Sequence, residues 1–260
     1  MMKQKILFAL AGVFLVIGLT GCDDFFSTTW GVKRGYDSSK IELTLDNLQD
    51  LVDAAEGNPE LAEALAKAII KKIGQTSGTE RAKYQEAGID AAIEQAGLGT
   101  AIVNSAMSLL SDIDNIADNA PKLFNNILSD LIENAPAAAS NIAAIAGATI
   151  SAADSTPEFA ANDPYAAAAS PSDVTQAVMI LAMSMVPAGF DFTGVDSING
   201  VNSNLTVTEE GSPKKVGVTE GATKEEVALA AYLNLIASDP DGKYENNSIT
   251  SAIKSMFGLE

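Results

Sequence analysis

Histidine is absent from this 260-residue chain. That absence removes the Ser-His-Asp triad, the Cys-His pair, zinc held by imidazole and haem on a proximal histidine. Cysteine occurs once, at Cys22, so no disulfide can form within one chain. Basic residues are scarce: 16 lysines and arginines face 34 acids, for a net charge of −18. Nucleic-acid binders carry a basic face, which this composition does not supply, so no nucleic-acid partner is expected. The same charge opposes docking of the protein body on anionic lipid. No Walker, dinucleotide or nucleophile-elbow motif is present. Carboxylate pairs, a Ser-Lys dyad or an oxygen-ligated metal are the enzymatic routes left, and the sequence reads as a protein that is not an enzyme, with no cofactor and no metal site.

Long apolar runs are also rare, and the most prominent one stands at the start. Lys3 and Lys5 precede a mostly apolar stretch from Ile6 to Leu19, which ends Leu19-Thr20-Gly21-Cys22. At about 15 residues the run is short of the roughly 20 that a spanning helix needs. A charged start, an apolar middle and a small residue at the cut are the layout of a secretory signal peptide. Leu19-Thr20-Gly21-Cys22 also resembles the lipobox of bacterial lipoproteins, in which the cysteine is lipidated and cleavage falls just before it. The resemblance implies lipid attachment at Cys22, through at least two acyl chains, as durable anchoring requires. Removing residues 1–21 takes away two lysines and no acid, so the body is more acidic still. Asp23 stands where the enteric sorting pattern reads retention in the inner membrane. The expected location is the bacterial cell envelope, periplasmic or on the outer surface. Asp23-Asp24-Phe25-Phe26 resembles the start of SusD-like glycan-binding lipoproteins, over those four residues alone.

The organisation that follows is a signal peptide at 1–21, a tether at 22–43 and a helical domain at 44–260 with an insertion at 187–222. The tether has no helical period, and Phe25, Phe26, Trp30 and Tyr36 punctuate it. Trp30 can rest at the headgroup level, but the preferred reading is that these aromatics pack back on the domain and hold it near the anchor. Leu45, Leu48, Val52 and Ala55 recur at helical spacing before Gly57. Asn58-Pro59-Glu60 supplies an N-cap, a proline at N1 and an early acid for a second helix, striped by Leu61, Leu65, Ile69 and Ile73. Ser77-Gly78-Thr79-Glu80 fits a capping box. Further helices are expected over Ile102–Leu110, from Pro121 to Ile132, and from Pro136 to about Ala153. The last is alanine-rich and suited to the centre of a bundle.

Residues 154–170 read as a loop, and Ser170-Pro171-Ser172-Asp173 caps an apolar helix with Val174, Val178, Leu181 and Met185. Phe190 and Phe192 lead into a Gly/Asn/Ser-rich stretch. Alternation around Leu205, Val207, Val216 and Val218 then predicts a small β-hairpin at 204–219. Thr223-Lys224-Glu225-Glu226 is another capping box, and Ile249 to Phe257 predict a final helix. The fold class is therefore all-α, an irregular bundle or a short superhelix of helical hairpins. Its paired helices and Pro-containing turns loosely resemble tetratricopeptide repeats in shape, without that repeat's steady period.

Asp239, Asp241 and Glu245 do not satisfy an EF-hand loop, because with Gly242 at position 6 Ala237 falls at position 1 and Ser248 at position 12. A polar turn is the preferred reading. Met179, Met183 and Met185 are candidates for an adaptable ligand surface, with core packing as the competing reading. The leading functional expectation is a membrane-anchored, non-enzymatic lipoprotein whose helical body binds an envelope protein or scaffolds a complex. The alternative is an accessory of transport that holds a hydrophobic or small-molecule solute.

Overall fold

The computed structural model describes residues 36–97, 135–151, 155–160, 163–185, 204–208, 213–239, 242–244, 250, 253–254 and 257–259. The signal segment with Cys22, the tether to residue 35, the helices expected at Ile102–Leu110 and Pro121–Ile132, and the Phe190–Phe192 stretch lie outside them. A 3-10 turn at Ser38–Lys40 leads into helices α1 (Leu48–Ala55), α2 (Pro59–Ile73), α3 (Gly78–Gln95) and α4 (135–146). Strands β1 (Thr149–Ile150) and β2 (Pro157–Glu158) follow, then α5 (Pro164–Ala168) and α6 (Pro171–Ser184). Strands β3 (Leu205–Val207) and β4 (Val216–Val218) precede α7 (Lys224–Ser238). The described chain is mostly helical, with two small antiparallel ribbons.

Local chemistry sets the helix starts. Asn58 accepts from the Leu61 amide with Pro59 in the first turn, and Gly57 at φ +65° makes the preceding turn possible. Ser170 accepts from the Asp173 amide at 3.1 Å ahead of Pro171. At α7 the capping box closes in both directions: the Glu226 amide donates to Thr223 Oγ1, and Glu226 Oε2 accepts from the Thr223 amide at 2.8 Å. The box expected at Ser77 does not close, and the Ser77 side chain makes no capping bond. Gly78 stands at φ +57°, which takes the chain off the path a box needs.

Helices α1, α2 and α3 pack against one another, α3 also touches α5 and α6, and α6 packs on α7. The stripe read on α2 is real: Leu65 and Ile69 are fully buried and Ile73 nearly so. Each such side chain contributes roughly 1.5–3 kcal/mol. Leu45, in contrast, precedes α1 and is exposed. Helix α4 lies against α3 with Ala135, Ala138, Ala139, Ile142, Ile145 and Ala146 all buried, the central position its small side chains suggest. Close approach is visible at Gly88 of α3, where an added Cβ would stand 2.8 Å from Ile69 Cγ2 and 3.0 Å from Ile145 Cδ1. Polar groups brace this contact. Gln85 donates to the Ile145 carbonyl at 2.9 Å, and Asn141 donates to Gln95 Oε1 at 2.7 Å.

Two expectations need correction here. The alanine-rich helix ends at residue 146, not near Ala153, because Gly147 takes φ +62° and β-branched Thr149 and Ile150 follow. Residues 154–170 are not a plain loop either, since they contain β2, paired through Thr149↔Glu158 and Ile150↔Pro157, and the short helix α5. The hairpin at 204–219 is present, in the register Leu205↔Val218 and Val207↔Val216. It is built into the core: Val216 and Val218 are buried and β4 packs on α7. Glu226 takes the start of β3 as well, accepting from the Asn204 amide at 2.7 Å and from its side chain.

Candidate functional site

The C-terminal part of α7 forms one wall of a cleft of about 320 Å³. Residues 158–160 at the end of β2, helix α5, residues 213–215 leading into β4, and Lys243–Tyr244 supply the rest. Each segment is held by a specific bond. Asp163 Oδ1 accepts from the Tyr165 amide at 2.9 Å and starts α5 ahead of Pro164. Asp239 ends α7 at φ 32°, and both its carboxylate oxygens accept from the Tyr244 amide at 3.1 Å, which folds residues 243–244 back. Asn234 accepts from the Val216 amide and donates to the carbonyls of Val216 and Pro157, tying β4 and β2 to α7.

Most of the wall surface is apolar, although Asn234, Ser238 and several charged side chains line it too. Phe159 stands edge-on to both Tyr165 and Tyr232, with centroids 5.9 and 5.1 Å apart. Three lysines reach the same cleft. Lys214 Nζ donates to the Gly258 carbonyl at 2.9 Å, Lys243 Nζ donates to the Ala167 carbonyl, and Lys215 Nζ pairs with Glu158 at 3.5 Å. Tyr244, 2% exposed, has a buried hydroxyl without a hydrogen-bond partner among the described residues. Burial, with Asp239 and then Asp173 nearby, pushes its pKa up to about 12, so the phenol stays neutral.

Deeper in the fold, the hydroxyls of Tyr165 and Tyr232 share a hydrogen bond of 2.8 Å, and burial raises both phenols above their usual range. Two carboxylates approach the same region from facing helices. Asp90 of α3 is pushed up to about 7, by burial first and then by the charges of Asp173, Glu86 and Glu94. Asp173, in the first turn of α6, is raised by burial against the lowering effect of Ser170. Glu94 is raised by burial, partly offset by the Gly57 amide donating to it at 3.2 Å. Among the described residues neither Asp90 nor Asp173 has a lysine or arginine partner. No group of three or more metal-ligating side chains converges among the described residues.

The sequence-based candidates fall elsewhere. Met179, Met183 and Met185 of α6 and its C-cap are half-buried and pack against the core, and none of them lines this cleft. Cys22 lies outside the described residues. Asp239 does sit in a polar turn, with its carboxylate committed to a backbone amide. Sequence reasoning missed Lys214, Lys243 and Tyr244, which come together from separate segments with no shared local pattern. Among the described residues no helix is long and apolar enough to cross a membrane. Comparison with protein families, curated proteins and solved structures finds no match to this chain.

Proposed function

We propose that the protein is a lipoprotein of the bacterial envelope, held to the membrane through Cys22, whose helical body binds a protein partner or scaffolds a complex rather than catalysing a reaction. The observation that carries this reading is Leu19-Thr20-Gly21-Cys22, with the chain's sole cysteine at the end of a short apolar run. A mostly helical body without histidine is consistent with it. The test compares the wild type with Cys22→Ala in a bacterial host, using labelled palmitate and membrane fractionation. Label on the wild type alone, with release of the variant from the membrane, supports the anchor; label on both or neither overturns it. Cross-linking in intact cells then tests scaffolding. One envelope protein, recovered reciprocally and lost when Thr206 and Val207 on the exposed strand β3 are changed to Lys, supports binding there. Point changes are needed because deleting the hairpin would remove buried Val216 and Val218.

A second reading, solute binding by the same anchored body, is favoured by the cleft between α5 and α7. Its volume lies at the lower end of the range for small-molecule sites, about 300–1,000 Å³.

A further inference from the structure

We propose that the basic end of the α2–α3 hairpin docks an acidic segment of a protein partner, through Lys67, Lys71, Lys72, Arg81 and Lys83. This rests on the protein-binding reading above and names a surface and a partner chemistry for it.

The net charge of −18 is not evenly spread. Residues 67–83 hold five of the chain's 16 basic residues and a single acid, Glu80. Only residues 74–77 separate α2 from α3, so the last two turns of one and the first two of the other share an end. Acids gather at the opposite end, where Glu56 and Glu60 flank the α1–α2 turn and Glu94 accepts from the Gly57 amide at 3.2 Å. Helix α4 brings no acid to the basic end, since residues 141–151 contain none. Its stop at Gly147 stands against Arg81, whose Nη2 is 2.9 Å from where a Cβ would be. Ile150, three residues further on, is 49% exposed and adds an apolar group.

Two features set this cluster apart from ordinary solvated lysines. The first is position on the helices. Lysines in the last turn of α2 complement its dipole, which accounts for Lys71 and Lys72. The dipole gives no reason for Arg81 and Lys83, which lie towards the N-terminus of α3, the end that favours acids. The second is the want of partners in an acid-rich chain. Lys67 pairs with Glu63, and Lys72 stands over the Tyr84 ring at 5.7 Å. Among the described residues Lys71, Arg81 and Lys83 have no ion pair, and Arg81 Nε is buried without a hydrogen-bond partner. Cationic donors left over in this way take carboxylates as acceptors.

The place of this end in the molecule selects a protein over a lipid surface. Tyr36 bonds to Asn58 at the acidic end, which is therefore where the chain from Cys22 arrives. The 15 residues of α2 carry the basic end about 22 Å further from that attachment.

The test is fluorescence anisotropy of a labelled octaglutamate peptide with the unlipidated chain, residues 22–260 carrying Cys22→Ser. The overall charge of the chain repels such a peptide, so binding reports a local basic surface. Saturation below about 1 mM at low salt, weakened about tenfold at about 300 mM salt, is the expected result. Lys71→Glu with Lys83→Glu, at two exposed and unpaired positions, should abolish binding, and Lys224→Glu on α7 should leave it unchanged. No saturation, or equal loss with Lys224→Glu, overturns the proposal. Retention on phosphatidylglycerol vesicles that the double variant loses would make this end a lipid surface. Dimerisation of the chain that the double variant loses would make the occupant a second copy; either overturns it as well. If circular dichroism shows the double variant unfolded, Lys71→Gln with Lys83→Gln must weaken the peptide about threefold, and unchanged binding overturns the assignment. Cross-linking in intact cells separates this proposal from the reading it rests on. An envelope protein held through an acidic segment and lost in the double variant supports both. One cross-linked equally by wild type and double variant leaves protein binding standing and overturns this surface, whereas capture of none overturns both.

Discussion

The side-chain amide of Asn234 pairs with the main chain of Val216 as a neighbouring strand would. Its Oδ1 accepts from the Val216 amide at 2.7 Å and its Nδ2 donates to the Val216 carbonyl at 2.9 Å. The same Nδ2 donates to the Pro157 carbonyl at 2.9 Å, so one helical residue joins two strands from different ribbons. Asn234→Leu strands these half-buried backbone groups and should cost roughly 2–4 kcal/mol in urea unfolding. Asn234→Asp keeps the acceptor but sets a carboxylate against two carbonyls. Its cost should shrink on acidification towards pH 4, where the protonated acid can donate again.

Gly88 marks the tightest helix contact. A methyl group there meets Ile69 and Ile145 at 2.8 and 3.0 Å, and overpacking of this kind costs roughly 1–3 kcal/mol. The better helix propensity of alanine returns up to about 1 kcal/mol. Gly88→Ala should therefore be mildly destabilising and Gly88→Val strongly so. Adding Ile145→Val, which deletes the Cδ1 atom in the way, should recover part of the Gly88→Val loss. A Tm that is additive across the double variant would contradict the contact.

Asp90 should make stability fall as pH rises from about 4 to about 7. Its pKa in the folded protein is about 7 against an ordinary 3.8, so between those values the folded state holds a proton that the unfolded chain has lost. That contribution is full below about 4 and is lost progressively as pH rises to about 7, with no further change above it. A full three-unit shift would be worth roughly 4 kcal/mol, and relaxation around a half-buried group reduces this to roughly 2. Asp90→Asn should thus stabilise the protein most at pH 8 and by less than about half as much at pH 5. Equal effects at both values, measured by thermal melting, would count against the assignment. The slope near pH 4 should have the opposite sign where Glu226 titrates. Burial pushes that carboxyl up, but hydrogen bonds from Asn204 and Thr223 outweigh it and hold it below its usual range. Its stabilisation is lost as pH falls through the lowered value.

The Tyr165–Tyr232 hydrogen bond can be weighed by a double-mutant cycle. Each Tyr→Phe change alone leaves one buried hydroxyl without its partner and should cost roughly 1–2 kcal/mol. The double change to Phe removes both groups and should cost less than the sum of the two, with a coupling of roughly 1 kcal/mol. Strict additivity would mean that the two hydroxyls do not depend on each other.

Helix starts were the most legible part of the fold because their chemistry is local. Asn58-Pro59, Ser170-Pro171 and Thr223–Glu226 each carry donor, acceptor and backbone restriction within four residues, and each caps as the spacing predicts. Ser77 shows where such a pattern fails, because Gly78 can leave the helical path and does. The alanine-rich segment misled over its end because alanine has no strong facial period, so the stop at Gly147 outranked composition. The ribbon of β1 and β2 is two residues deep on each strand, too short for alternation to register. The cleft was illegible for another reason. Its groups come from residues 158–167, 213–215, 231–239 and 243–244, and only tertiary packing brings them together. Asn234 looks in the sequence like any polar residue on a helix, and nothing nearby in the chain announces its two strand partners.

The contact between Tyr36 and the turn joining α1 to α2 fixes an orientation. Asn58, which caps α2, also donates through its side chain to the Tyr36 hydroxyl at 3.2 Å. About 14 residues separate Tyr36 from Cys22, and at ~3.5 Å each they span no more than ~50 Å. With lipid on Cys22, as proposed, the pole of the body that carries Asn58 is leashed within that radius of the bilayer. Asp37, Glu42, Asp46, Asp50, Asp53, Glu56 and Glu60 crowd the chain around that pole. An anionic leaflet would repel it while the leash draws it in, so the body hovers over the surface.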